Sequence, residues 1–133
     1  MLTPDNRGLP PALSEGLLDA FPDPAWIKDT GLRYVAVNAA FRRLCGFQAG
    51  VAELAPDDVI DRTDFSLFPL ETAERMREED LDVITERSAR RGDLIIVNRE
   101  GAARHFDTHR IVLQDGAGVV SGTLGFAHEV AKK

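Results

Sequence analysis

Only one cysteine, Cys45, stands in the 133 residues. It cannot close an internal disulfide, so packing alone must hold the fold, and a reducing compartment suits such a chain. Long hydrophobic runs are also missing. The longest, such as DLIIVN at 93–98, are strand-sized, far short of a membrane span. The charged start and apolar stretch of a secretory signal are absent from the first residues. Positive charge is in the minority: the net charge is −6, and no basic stripe with interleaved aromatics exists. That excludes non-specific nucleic-acid binding as an expectation. Seven Pro and eleven Gly are too few for a fibrous or disordered chain. No nucleophile elbow, phosphate loop or H-E-x-x-H occurs, and no internal repeat. What is left is one domain with a single core, expected to be soluble, cytoplasmic and free of membrane contact.

The chain divides readily. Residues 1–9 are polar and carry Gly and Pro, as a loose arm would. Residues 10–22 read as a flanking amphipathic helix opened by Pro10 and Pro11, with Leu13, Leu17 and Phe21 on one stripe. FPDP ends it, AWIK reads as a strand, and DTG turns into a second strand, RYVAV. Asn38 then suits the N-cap of a helix whose inner face is Phe41, Leu44 and Cys45. Gly46 is expected to close that helix in the left-handed conformation, with Phe47 making the accompanying apolar contact. Short helical turns are expected near AELA and DDVI. Pro69 opens the longest helix, expected over 69–91, with Ala73, Met76, Leu81 and Ile84 inside and REED on a solvated face. Three strands follow: DLIIVN, RHFDTHRIVL and VVSGTLGFAHEV, joined by turns at REG and QDGAG. The order implies an α+β fold, an antiparallel sheet with helices on one face.

Four segments in register resemble the PAS domain, the sensory module of sensor histidine kinases, diguanylate cyclases and related regulators. FPDPAWIKD is similar to its first strand, and GLRYVAVNAAFRRLCGF to its second strand with the Asn-started helix. DRTDFSLFPLETAERMREED resembles the middle segment, and DGAGVVSGTLGFAHEV the last hairpin. The resemblance spans roughly Leu17 to Val130 and implies a five-stranded antiparallel PAS-like sheet over 23–130. The family's closing strand usually ends in Asp-Ile-Thr; here it reads Glu129-Val130-Ala131. Residues 131–133 would then be a truncated junction to an effector domain, the chain being a piece of a longer signalling protein, with a stand-alone module as the alternative.

Strand alternation puts Phe106, Thr108 and Arg110 on one face and His105, Asp107, His109 and Ile111 on the other. The PAS pattern turns the first set inward with Leu94, Ile96, Asn98, Ser121, Thr123 and Ala127. It adds Trp26 and Lys28 from the first strand, and Phe41, Phe65, Phe68 and Met76 from the helical side. Arg110 is the informative member, because an unpaired guanidinium in an apolar cavity costs several kcal/mol. One reading gives it an anionic ligand, a carboxylate, assisted by Thr108, Thr123 or Asn98. The other gives it an internal ion pair, for example with Asp80.

No haem is expected, since 69–91 contains no His, where the haem-binding subgroup carries one. No covalent flavin photocycle is expected, because VIDRTDF lacks the cysteine of the Asn-Cys-Arg-Phe-Leu-Gln motif. Cys45 reads as a small buried hydrophobe. His105, Asp107 and His109 read as exposed strand residues rather than a metal site, since i and i+2 lie about 6.5–7 Å apart. Catalytic residues, cofactor and metal are all expected to be absent. The outward face would expose Ile95, Val97, Ile111, Leu113, Leu124 and Phe126, so a homodimer is expected through Leu13, Leu17, Phe21, Leu124 and Phe126. The expected function is a non-catalytic sensory and dimerisation module with a small ligand in its cavity. A ligand-free interaction module is the alternative. A small enzyme with a cone-shaped pocket would need Asp80 or Asp64 as its base.

Overall fold

The computed structural model describes residues 16–131. The elements run β1 (Ala25–Asp29), β2 (Tyr34–Val37), α1 (Ala39–Ala49), a 3-10 turn (Pro56–Asp58), α2 (Asp64–Leu67), α3 (Leu70–Glu86), β3 (Arg90–Val97), β4 (Ala103–Gln114) and β5 (Val120–Val130). The strands form one antiparallel sheet in the order β2-β1-β5-β4-β3, the α+β architecture expected.

Each hairpin turn is organised by a short polar side chain bonding its own backbone. Asp29 Oδ1 accepts from the amides of Gly31 and Arg33 between β1 and β2. Asn98 Oδ1 accepts from Glu100 and Ala102 between β3 and β4. Asp115 Oδ1 accepts from Ala117 and Val119 between β4 and β5. The turn chemistry therefore fixes the register of the strands it joins.

Asn38 does more than cap α1. Its Oδ1 accepts from Phe41 N at 2.9 Å and from Ala25 N at 3.0 Å. Its Nδ2 donates to the carbonyls of Leu18 at 2.9 Å and Asp23 at 2.8 Å. One buried amide thus locks the helix start, the first strand and the chain leading into it.

The helices pack over one face of the sheet. Trp26, Tyr34, Phe41, Leu44, Phe68, Met76, Leu94, Ile96 and Phe106 belong to a single buried cluster there. A smaller cluster lies on the opposite face, where Leu18 packs with Ala25, Ala36, Ile27 and Leu124.

Three expectations are corrected. Gly46 does not end α1: the helix runs to Ala49, and Gly50, at φ 86°, is the left-handed cap. Gly46 is instead required by close approach, since a Cβ there would lie 2.7 Å from the Glu53 amide nitrogen. The long helix stops at Glu86, with Arg87 left-handed at φ 52°, because Arg90 and Arg91 are taken by ladder pairing with Arg110 and His109. The flanking helix is helical over 16–19, but Leu17 and Phe21 are exposed and Leu18 is the buried residue. The bonds from Asn38 Nδ2 to Leu18 O and from Phe21 N to Leu18 O set that orientation. Leu13, the loose arm and residues 132–133 lie outside the described residues.

Candidate ligand site

The inner face of the sheet brings polar residues from three adjacent strands together. Trp26 of β1 and Arg110 of β4 both pair with Gly125 of β5, so the three form one cross-strand row. Thr123, one inward step along β5, pairs with Lys28 on one side and Val112 on the other. Trp26, Lys28, Thr108, Arg110 and Thr123 are all fully buried. Above them lies α3, whose Ala73, Met76, Glu79, Asp80 and Val83 form its buried stripe at i, i+3, i+4 spacing.

The buried charges are paired. Lys28 Nζ lies 2.5 Å from Asp64 Oδ2 and 2.5 Å from Asp80 Oδ2. Arg110 Nε donates to Asp80 Oδ1 at 3.0 Å, and its Nη1 to Glu79 Oε1 at 2.6 Å and Thr108 Oγ1 at 3.1 Å. The Tyr34 hydroxyl donates to Asp64 Oδ1. Asp80 is the hinge of this network, serving Lys28 with one oxygen and Arg110 with the other. Gly92 makes room for it: a Cβ there would lie 2.7 Å from Glu79 Oε2. Burial, and then the Asp64 charge, hold the Tyr34 phenol well above its ordinary pKa. The same two causes push the Cys45 thiol up, so it stays protonated and inert.

Three buried polar atoms on this face have no hydrogen-bond partner among the described residues: Trp26 Nε1, Arg110 Nη2 and Thr123 Oγ1. Two of these are obligatory donors, and the hydroxyl can donate as well. Buried donors are almost always satisfied, by protein or by ordered water, so these three atoms are open to an acceptor of either kind.

Of the expected cavity residues, Trp26, Lys28, Phe41, Phe68, Met76, Ile96, Phe106, Thr108, Arg110 and Thr123 lie in this interior. Two do not. Phe65 is 47% exposed on the outer side of α2. Asn98 is spent on the β3–β4 turn, its Oδ1 bonded to backbone amides. The REED segment is split, because Glu79 and Asp80 face inward while Arg77 and Glu78 face solvent. Tyr34 and Glu79 were missed as members of the network. The signal for Glu79 was available, since it falls three residues after Met76 and four before Val83.

On the outer face, Ile95, Val97, Ile111 and Phe126 are 36–47% exposed. His109 stacks on Phe126 with centroids 5.0 Å apart. Leu124 is half-buried beneath Leu18. His128 pairs with Asp23 at 3.1 Å. Near the end of β5, Arg104 binds Glu129 through two bonds of 2.8 and 2.9 Å and lies over the Phe47 and Phe106 rings. No helix among the described residues is long and apolar enough to cross a membrane.

The family model described as PAS fold matches residues 18–133. A curated relative, the methanogenesis regulatory histidine kinase FilI of Methanothrix harundinacea (strain 6Ac), is 29% identical over 114 residues. That match covers 86% of this chain and 12% of the kinase. Among solved structures, a Vibrio cholerae VqmA dimer superposes with a TM-score of 0.73 at 22% identity, covering 93% of this chain and 52% of that one. VqmA bound to DPO also superposes with a TM-score of 0.73 at 22% identity, covering 88% of this chain and 56% of that one. This chain therefore spans about an eighth of the kinase and about half of VqmA.

Proposed function

The chain belongs to the PAS family, and from that premise we propose that it is the non-catalytic sensory module of a larger signalling protein, reading a small molecule in its interior. The observation that carries this reading is the polar inner face itself. Burying Lys28, Arg110, Asp64, Asp80 and Glu79 adds little net stability over apolar residues of the same volume. Such a network is worth keeping where its geometry must respond to something. Trp26 Nε1, Arg110 Nη2 and Thr123 Oγ1 are the groups a bound molecule would engage. Arg110 and Asp80 would carry the change into α3.

In this reading the module acts in the cytoplasm as a homodimer, paired through the apolar outer face of the sheet. The end of β5, held by the Arg104–Glu129 pair, passes the change to an effector domain. The histidine kinase relative supports a place in signalling, and the DPO-bound neighbour supports an interior able to hold a ligand. The target DNA of VqmA concerns that protein; the net charge of −6 supports no nucleic-acid role for this domain. A ligand-free interaction module is the second reading. It is favoured by the Trp26, Tyr34, Phe41 and Phe68 rings, which pack with centroids 5.1–6.3 Å apart and fill the helical side.

Native mass spectrometry of the purified protein, followed by denaturing mass spectrometry of the same sample, separates the two. The proposal expects a dimer carrying a small mass that is lost on denaturation. A bare dimer after purification under ligand-retaining conditions supports the interaction module.

A further inference from the structure

Building on the sensory reading, we infer that the molecule held in this interior is neutral and presents a hydrogen-bond-accepting oxygen, as a carbonyl, amide or lactam does, and is not a carboxylate. The charge balance comes first. The interior already holds three carboxylates, of Asp64, Asp80 and Glu79, against two cations, Lys28 and Arg110. The exposed Arg75 meets Glu79 from outside at 3.9 Å, so an added anion would set four negative charges against three positive ones, two of them buried, in a low-dielectric space where like charges repel. Lys28 has no lone role to offer it, since both neighbouring carboxylates lie at 2.5 Å.

The free groups come second. Trp26 Nε1 and Arg110 Nη2 are donors without an acceptor role, and Thr123 Oγ1 can join them. A cation would find only donors facing it at this spot. An oxygen with two lone pairs meets the requirement.

Placement comes third. Trp26 and Arg110 flank the same residue, Gly125, and the Arg110 guanidinium carbon lies 5.8 Å from the indole ring. Thr123 stands on the same face of the same strand, next to both. A Cβ at Gly125 would lie 2.5 Å from Trp26 Nε1, so glycine is what lets the indole edge sit against the sheet. The three side chains therefore stand at neighbouring positions on one face, whose diagonal strand-to-strand spacing is roughly 7–8 Å. This is the scale of one small polar group.

The test uses the fact that the chain has a single tryptophan. In the 15N-labelled protein its indole N–H gives one resonance, which a new acceptor shifts downfield. The probes are 2-pyrrolidinone as the neutral lactam and acetate and propionate as the anions. The expected result is a saturable shift with 2-pyrrolidinone and an apparent affinity about ten-fold weaker for either anion. Thr123→Val, which keeps the shape, should weaken the lactam response several-fold (about one hydrogen bond's worth) without changing the rest of the spectrum. A carboxylate that binds as well as the lactam overturns the inference. So does an indole resonance that no probe moves, the outcome if water alone satisfies these donors. A carboxylate recovered by native mass spectrometry would leave the sensory reading standing and remove this one.

Discussion

The two faces of the sheet are built from the same strands, yet each departs from a simple division of polarity: charged groups lie within the apolar inner face, and apolar groups are exposed on the outer one. On β4, Thr108 and Arg110 point inward and are about 1% exposed, while Ile111 points outward at 39%. On β1 and β5, Lys28 and Thr123 are inside with no exposure, while Phe126 is outside at 36%. Polar groups buried here need specific partners, because each unpaired one carries its full desolvation cost. Apolar groups exposed there need only a cover, because burial of such surface is non-directional. The inner face is thus demanding about geometry, and the outer face is permissive about it. A domain that reads a molecule on one side and pairs on the other would be expected to divide its chemistry in this way.

The largest effect should come from breaking the inner face at its shared carboxylate. Asp80→Asn removes the charge that both Lys28 and Arg110 use, and should cost ~3–5 kcal/mol in urea unfolding. A loss below ~1 kcal/mol would mean that the network is not formed as described. Asn38→Ala comes next. It deletes the α1 cap, orphans the Ala25 amide and releases the Leu18 and Asp23 carbonyls, so ~2–3 kcal/mol is expected by the same measurement.

The outer face should respond differently. Ile111→Ser combined with Phe126→Ser should lower monomer stability by at most ~1 kcal/mol, while analytical ultracentrifugation shows the proposed dimer dissociating. Loss of folding instead would place these side chains in the core and dissolve the contrast between the faces.

The smallest effect concerns acid. The hydrogen bonds from Arg104 lower the Glu129 carboxyl below its ordinary value. A depressed folded value means the pair stabilises above the unfolded carboxyl pKa of about 4.3. That contribution is lost as pH falls from there through the folded value. Both partners are over a third exposed, so solvent screening keeps the effect small. Glu129→Gln should lower thermal stability slightly at pH 7–8, where the pair is intact, and flatten the acid limb so that the difference from wild type vanishes at low pH. An acid limb identical to wild type would show that the pair contributes nothing.

Much of this fold was legible because its signals are local. The alternation along β4 and β5 identifies which residues share a face. Asp29 and Asp115 mark two of the hairpin turns, and Asn38 marks the α1 start. What was not legible depends on the facing element. The carboxylates of Glu79 and Asp80 sit in an acidic, charged helix, and only their spacing from Met76 and Val83 separates them from the solvated Glu78. Their burial follows only once Arg110 and Lys28 are known to lie opposite. Leu18 displaced Leu17 and Phe21 for a similar reason, because Asn38, twenty residues on, decides which side of that turn meets the sheet. Gly46 looked like a helix stop, yet its purpose is the passage of the Glu53 backbone. The PAS pattern with strand alternation points Asn98 into the cavity, whereas its turn chemistry holds it at the sheet's end.

The account rests most heavily on α3 and the inner face of the sheet acting as one coupled unit. The most direct test is a double-mutant cycle between Arg110→Met and Asp80→Asn, read by urea unfolding. A coupling energy of ~1–3 kcal/mol is predicted, with the double variant markedly less damaged than the sum of the single ones. Additivity within ~0.5 kcal/mol would contradict the account, for it would mean that Arg110 and Asp80 do not answer to each other.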